Sequence, residues 1–421
     1  MLQFSAAAAA TIAMPAKWAA SKSISPNEKL NIAFMGIGGQ GRSNLNALKN
    51  QNIVALCDVD DDRAGDAYET FPKAKKFYDY RRMFDEMDSQ IDACVVSTPD
   101  HTHFHLASTA LKMGKHLYCE KPMAHAVSEV RILTELARQN KLATQLGVQR
   151  HTLDNVHRVI EIVQSGAIGE VREVFSHMGG NRGMPDMPTA FPPVPDDLKW
   201  DLWLGPAKER PYSPAYCPYN WRFWWDFGTG ETGNWGCHIL DIPYWALNLD
   251  IPVKVSGWGP PVDPQRSPKS LFSKFDFPAR GNRPPVTLHW YHSDKPHPLV
   301  QERKLPTFGN TLFVGAKGVL ACDFSKRKLY PEDQFADFNE PAKSIPDSPG
   351  FHNEWIQACK GGQPATCNFD YSGPLTETVL LANLAYRINK EFEWNAKTMH
   401  AVGCPEAEPH LRPEYREGWK I

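Results

Sequence analysis

LNIAFMGIGGQGRSNLNALKNQNIVALCD, residues 30–58, decides the fold. LNIAFMG (30–36) is an apolar run that reads as a buried strand stopping at a glycine. A helical pattern follows over about 40–49, and NIVALCD (52–58) is a second apolar run ending in an acid. Between the strand and the helix, Gly36, Gly38 and Gly41 fill the three positions of GxGxxG. The first allows a tight turn, the second lets backbone approach a pyrophosphate, and the third lets helix pack closely on strand. Free N–H groups and the dipole at the helix start favour that anion. Gly36, Gly38, Gly39, Gln40 and Gly41 are therefore the expected dinucleotide loop. Asp58 is placed to accept from ribose hydroxyls and to repel a 2′-phosphate, so NAD is expected ahead of NADP. Asp60, Asp61 and Asp62 add to that field, and Arg63 opposes it.

The same rhythm continues outward. Strands are expected near 76–78, 91–97, 115–120 and 142–148, with helices over 63–71, 80–87, 102–113 and 127–140. Short strands alternating with helices imply a parallel sheet covered on both faces. After Val148 the pattern changes. A helix is expected over 154–165, then strand-like runs at 170–179, 286–292, 310–314 and 318–323, and a helix over 374–390. The fold class is thus α/β: a Rossmann dinucleotide-binding domain over 28–150, then an α+β domain over 151–421. The second domain should carry a mostly antiparallel or mixed open sheet for substrate binding and self-association.

A chain of 421 residues with 42% hydrophobic and 22% charged residues can bury two cores. Its net charge of −2 and scattered basic residues exclude an electrostatic footprint for nucleic acid. The nine cysteines form no CxxC pair and several sit inside apolar runs, the pattern of buried thiols. Residues 1–27 differ from the rest. FSAAAAATIAMPAKWAASKSIS is too short to span a membrane and reads as the later part of a secretory signal, with cleavage around 16–20. The expected location is periplasmic or exported, by the twin-arginine route, from a longer precursor. A cytoplasmic protein with an N-terminal tail is the alternative.

STPDHTH (97–103) stands at a strand's carboxyl end, where open sheets bind ligands. Ser97, Thr98 and Pro99 are expected at the cofactor, with His103 near the nicotinamide ribose. Histidines 101, 103 and 105 lack acidic or thiolate partners at useful spacing, so no metal is expected. KHLYCEKPMA (115–124) brings Glu120 and Lys121 to the next strand end, where Pro122 stops the strand. An ammonium there can bond a substrate hydroxyl. GTGETGNWGCHILDIPYWAL (228–247) begins with glycines and becomes helical, aligning Asn234, His238 and Asp241 on one face. His238 can take a hydroxyl proton. The aromatic run over 200–230 offers Trp221, Arg222 and Trp225 as sugar contacts, with Trp203 and Trp224 better read as packing. His177, Arg150 and His151 are further candidates for the site.

Taken together, GIGGQG, Asp58, STPDHTH, CEKPMA, SGAIGEV (165–171) and GNWGCHILD (233–241) resemble the Gfo/Idh/MocA family over roughly 30–395. That resemblance implies an NAD-dependent oxidoreductase acting on a hydroxyl of a sugar, sugar derivative or cyclitol. It implies Lys121 and His238 as the catalytic pair and a homo-oligomer. Substrate contacts would come from Lys121, His177, Trp221, Arg222, Asn234 and His238. The family often has Asp where this chain has Asn234, which breaks a Lys–Asp–His relay. The altered set leaves open a second class, an NAD-dependent glycosidase working by transient oxidation and elimination.

Overall fold

The computed structural model describes residues 28–420 together with Ser25, so the signal-like stretch and its cleavage region lie outside the described residues. The apolar runs of the first third become six parallel strands: β1 (Asn31–Met35), β2 (Asn52–Cys57), β3 (Lys75–Phe77), β4 (Ala93–Val96), β5 (His116–Cys119) and β6 (Thr144–Leu146). Their order is β3-β2-β1-β4-β5-β6. The chain reverses its direction of growth between β1 and β4, and ligands of such sheets sit in the crevice at that point. Every residue of β4 and β5 is buried, as both-face coverage requires.

The second sheet has nine strands in the order β13-β12-β11-β7-β10-β9-β8-β14-β15. These are β7 (Val171–Gly179), β8 (Lys254–Trp258), β9 (Leu271–Phe277), β10 (Val286–Ser293), β11 (Thr311–Gly315), β12 (Val319–Cys322), β13 (Arg327–Tyr330), β14 (Phe392–Asn395) and β15 (His400–Ala401). Neighbours run antiparallel except β7 and β10, which are parallel, so the sheet is mixed. The helix Phe369–Ile388 packs on β8, on the helix Gly230–Leu247 and on the helix Val127–Gln139 of the first unit. One apolar core consequently runs through both sheets. All nine cysteines are free and buried.

Two expected helices differ. The stretch 63–71 splits into Asp61–Ala64 and Ala67–Thr70, because Gly65 at φ 47 ends the first turn. The helix expected over 374–390 starts earlier, at Phe369, where the Asn368 side chain accepts from the N–H groups of Asp370 and Tyr371. Pro374 therefore lies inside that helix.

Candidate active site

The six carboxyl strand ends open into a cavity of about 580 Å³, lined by both units. At its β1 side the glycines make a backbone cradle. A Cβ on Gly41 would lie 2.1 Å from the Gly36 carbonyl, and one on Gly36 would lie 2.8 Å from Ser97 backbone. The N–H groups of Gly38, Gly39 and Gln40 donate to no described residue and border the cavity. Unpaired N–H groups at a helix start fit a pyrophosphate. The Asp58 carboxylate accepts from Ile37 N–H at 2.7 Å and Asp60 N–H at 3.1 Å, locking the loop to the end of β2. Burial lifts its carboxyl to about 6, against those two bonds. These residues fit a dinucleotide: Gly38, Gly39 and Gln40 for the phosphates, Asp58 for a ribose.

Glu120 and Lys121 follow β5. The buried Glu120 carboxylate accepts from Asn44 Nδ2 at 2.9 Å and Gln149 Nε2 at 2.7 Å, joining the cofactor helix Gln40–Leu48 to the segment after β6. Burial raises its pKa, and the Lys121 charge beside it is the largest opposing influence. Lys121 Nζ donates to the backbone carbonyl and to Oδ1 of Asn234, both at 2.9 Å. Burial lowers the Lys121 pKa, while Glu120 and Asp100 hold it up. One turn beyond Asn234, His238 is 5% exposed and borders the cavity. Its Nδ1 has no hydrogen-bond partner among the described residues. Burial, then the charges of Lys121 and Arg150, push its pKa well below the usual histidine value. The imidazole is neutral at pH 7 and can accept a proton.

The helix carrying these groups starts at Gly230, not after the glycines. A Cβ on Gly233 would meet Thr229 Oγ1 at 1.7 Å, so only glycine lets the first turn close there. Thr229 donates through N–H and Oγ1 to Asp100 Oδ2, at 3.1 and 2.6 Å, and ties this helix to the end of β4.

Two family models match this chain. Residues 30–148 fit one described as an oxidoreductase family with an NAD-binding Rossmann fold, and residues 158–265 fit its C-terminal α/β domain. Together they cover more than half the sequence. The chain belongs to the Gfo/Idh/MocA oxidoreductase family.

Among curated members of the family, glucose-6-phosphate 3-dehydrogenase of Bacillus subtilis is 26% identical over 226 residues, 52% of this chain and 54% of that protein. Inositol 2-dehydrogenase of Salmonella paratyphi B is 28% identical over 147 residues, 34% of this chain and 43% of that protein. The chain thus matches about half the length of these curated relatives, or less. The solved WlbA dehydrogenase of Bordetella pertussis, in complex with NADH and UDP-GlcNAcA, shares the fold at a TM-score of 0.60. It is 15% identical, with 87% of this chain and 99% of that one covered. The cofactor of the N-terminal domain is NAD.

Within that family frame, the cavity gathers Gly36, Gly38, Gly39, Gln40, Asp58, Ser97, Thr98, Pro99, Glu120, Lys121, Asn234 and His238. Gly41 lies under the loop and packs against it. Trp221 and Arg222 also line the cavity, as do Trp203 and Arg150. Four expectations change, one of them His151, which does not line the cavity and pairs its ring with Asp241. His103 is buried beneath the site, its ring nitrogens 2.8 Å from the carbonyls of Thr98 and Pro122, so it clamps two loops and does not line the cavity. His177 is directed away. Its register partner is Tyr291, on which it stacks at 5.0 Å, whereas Trp290, one residue earlier, donates to Thr232 on the His238 helix. Alternation along a strand puts those neighbours on opposite faces. Trp225 donates to Asp263 O at 3.1 Å, outside the cavity.

Asp241 does not orient His238. It accepts from His151 Nδ1 at 2.9 Å and from the Tyr371 hydroxyl at 2.6 Å, with His151 stacked on Trp245 at 4.1 Å. Cys367 completes a group of three metal-ligand types there, but these hydrogen bonds already account for the carboxylate. His101 and His105 point their rings at the carbonyls of Trp203 and Trp419, at 3.0 and 2.8 Å, and so fix their helix to later segments.

Glu231 is a residue the sequence reading passed over. It is buried, pairs with Arg182 at 2.8 Å, and accepts from Asn234 Nδ2 at 3.3 Å. The missing family aspartate is thus answered by a carboxylate one turn earlier, with the Asn234 amide between it and Lys121. Its spacing of three residues from Asn234 is visible in the sequence, but ETG sits among the glycines ahead of the expected helix. The aromatic insertion also does more than expected. The stretch that leads into it is strapped to the first unit: the Asp197 carbonyl accepts from Asp61 N–H at 3.0 Å, and Lys199 N–H donates to Val59 O at 2.8 Å. This strap brings Cys217 and Pro218 over the cofactor side of the cavity.

Proposed function

We propose that the protein is an NAD-dependent oxidoreductase that moves hydride between a carbinol carbon of a sugar, sugar derivative or cyclitol and nicotinamide. The observation that carries this reading is a neutral His238 beside Lys121, at the far end of a cavity that begins at the glycine cradle. NAD, when bound, supplies the two-electron acceptor. Lys121 directs its ammonium at the substrate oxygen, Asn234 holds that ammonium in place, and His238 takes the hydroxyl proton as the carbon loses hydride. The names of the curated relatives, dehydrogenases of a sugar phosphate and of inositol, support the substrate class. These two names favour oxidoreduction, while a glycosyl hydrolase family 109 protein of Solibacter usitatus, 30% identical over 172 residues (36% of this chain), supports glycoside cleavage as the second reading.

The test is to purify the protein, identify any co-purified nucleotide, and screen sugars and cyclitols for its reduction. Substrate-dependent reduction of bound NAD is expected. A nucleotide-free protein that reduces no added NAD with any polyol overturns the reading.

The Asp58 carboxylate sets the cofactor preference. Asp58→Asn keeps the shape and removes the charge, so the ratio of NADP to NAD dissociation constants should fall by about 10- to 100-fold, the worth of a charged hydrogen bond. Fluorescence titration with both dinucleotides checks this. An unchanged ratio would place discrimination elsewhere, with Arg63 the next residue to vary.

Export and self-association complete the proposal. The alanine-rich start supports export, and the open nine-stranded sheet offers a face for a second copy. Cell fractionation and light scattering test these: a cytoplasmic monomer would remove both.

A further inference from the structure

Arg150 stands in the short 3-10 turn Gln149–Thr152 after β6. Its guanidinium lies 4.9 Å from the ring centres of both Trp235 and Phe324. The guanidinium makes no hydrogen bond and no ion pair among the described residues, and Arg150 borders the cavity that holds His238. Trp235, which packs on Arg150, also packs edge-on against His238, with ring centres 5.8 Å apart. Five donors in a planar fork are therefore presented to the reacting end of the cavity without an acceptor.

The other charges nearby are answered. Glu231 pairs with Arg182. Glu120 lies beside Lys121 and accepts from Asn44 and Gln149, and Asp100 accepts from Thr229. Arg222 donates to Tyr219 O at 3.1 Å and stacks on Trp221 and Tyr219. Arg150 is left with rings on two sides and no carboxylate.

The cofactor's own phosphates do not reach it. They belong to the loop after β1, and the strand order puts β6 three strands further along, roughly 14 Å at the usual inter-strand spacing. Lys121, after β5, is the immediate neighbour. An anion at Arg150 is thus part of the substrate.

We propose that the substrate is an acidic sugar or cyclitol derivative whose carboxylate or phosphate is bound by the Arg150 guanidinium, beside the hydroxyl handled by Lys121 and His238. The inference rests on the oxidoreductase reading for the sugar, and on the geometry for the anion. A carboxylate and a phosphate monoester both match the fork in a bidentate manner.

The experiment measures binding, by calorimetry on NAD-saturated protein, of glucose, glucuronate and glucose 6-phosphate. At least one acid should bind more tightly than glucose by about tenfold or more, the worth of a charge-assisted hydrogen bond. The tighter of the two acids identifies the group. Arg150→Gln should reduce that preference to about twofold or less, with Arg150→Lys between the two, because a point charge lacks the fork. NAD affinity reports whether each variant is folded. Equal binding of all three ligands by the native protein overturns the proposal. So does a Gln variant that binds NAD normally and keeps the full preference. Acid binding that depends on Arg150, with no NAD reduction by any sugar, would overturn the redox reading and leave this one standing. Oxidation of neutral sugars with no preference for acids would do the reverse.

Discussion

Lys121→Met is expected to lower kcat for sugar oxidation by about 10²- to 10³-fold, the usual weight of a positioned proton-handling group. Methionine keeps the length and the apolar stem, so the packing under β5 survives. What is lost is the ammonium. Two of its hydrogens are held by Asn234, at 2.9 Å each, and the third is free for a substrate oxygen. The Asn234 carbonyl and amide oxygen then face an apolar group, which costs stability but not the glycine cradle. NAD affinity should stay within about threefold, because the phosphates are held by backbone N–H groups at the other end of the cavity. Steady-state kinetics with a separate NAD titration checks both halves. Near-normal turnover would remove Lys121 from the chemistry.

His238→Asn is expected to reduce kcat by a similar or larger factor, about 10³-fold, since it removes the proton acceptor itself. The pH profile supplies a sharper test. Burial and the cations Lys121 and Arg150 push the His238 pKa well below its ordinary 6.5. A base whose pKa is depressed stays unprotonated as pH falls. The kcat of the native protein should therefore remain level through 6.5 and decline only in more acid solution. A rate that halves near 6.5 would mean that a more ordinary histidine or another group takes the proton.

How much of this was legible depended on how local each signal is. The Rossmann half was readable because each strand of a covered parallel sheet is apolar by itself, as IAFM and CVV show without reference to their neighbours. The second sheet was half readable. LFSKFDF carries a clean alternation that the structure bears out as β9, yet it sits among prolines and was passed over. β14 and β15 are four and two residues long and gain strand character only from β8 and from each other. The residues that the structure gathers at one cavity and that a motif or a strand end marks in the sequence are Gly36, Gly38, Gly39, Gln40, Asp58, Lys121 and His238. His177 was misplaced by one step of strand parity. Glu231 and the destination of the aromatic strap were not found, since both depend on contacts between segments far apart in sequence.

The strap has a thermodynamic consequence. Asp61 and Val59 of the first unit are bonded to Asp197 and Lys199, and the cavity wall is assembled from both units. A dinucleotide held there is a ligand of the whole native state, and neither half alone offers its full site. Mass action then couples their melting. At a free NAD concentration one hundred times the dissociation constant, the native state gains about 2.7 kcal/mol relative to the unfolded chain. That gain is shared across the core that runs through both sheets. Calorimetry should show one transition that moves upward with NAD, not an N-terminal half that is protected while the remainder melts at its original temperature.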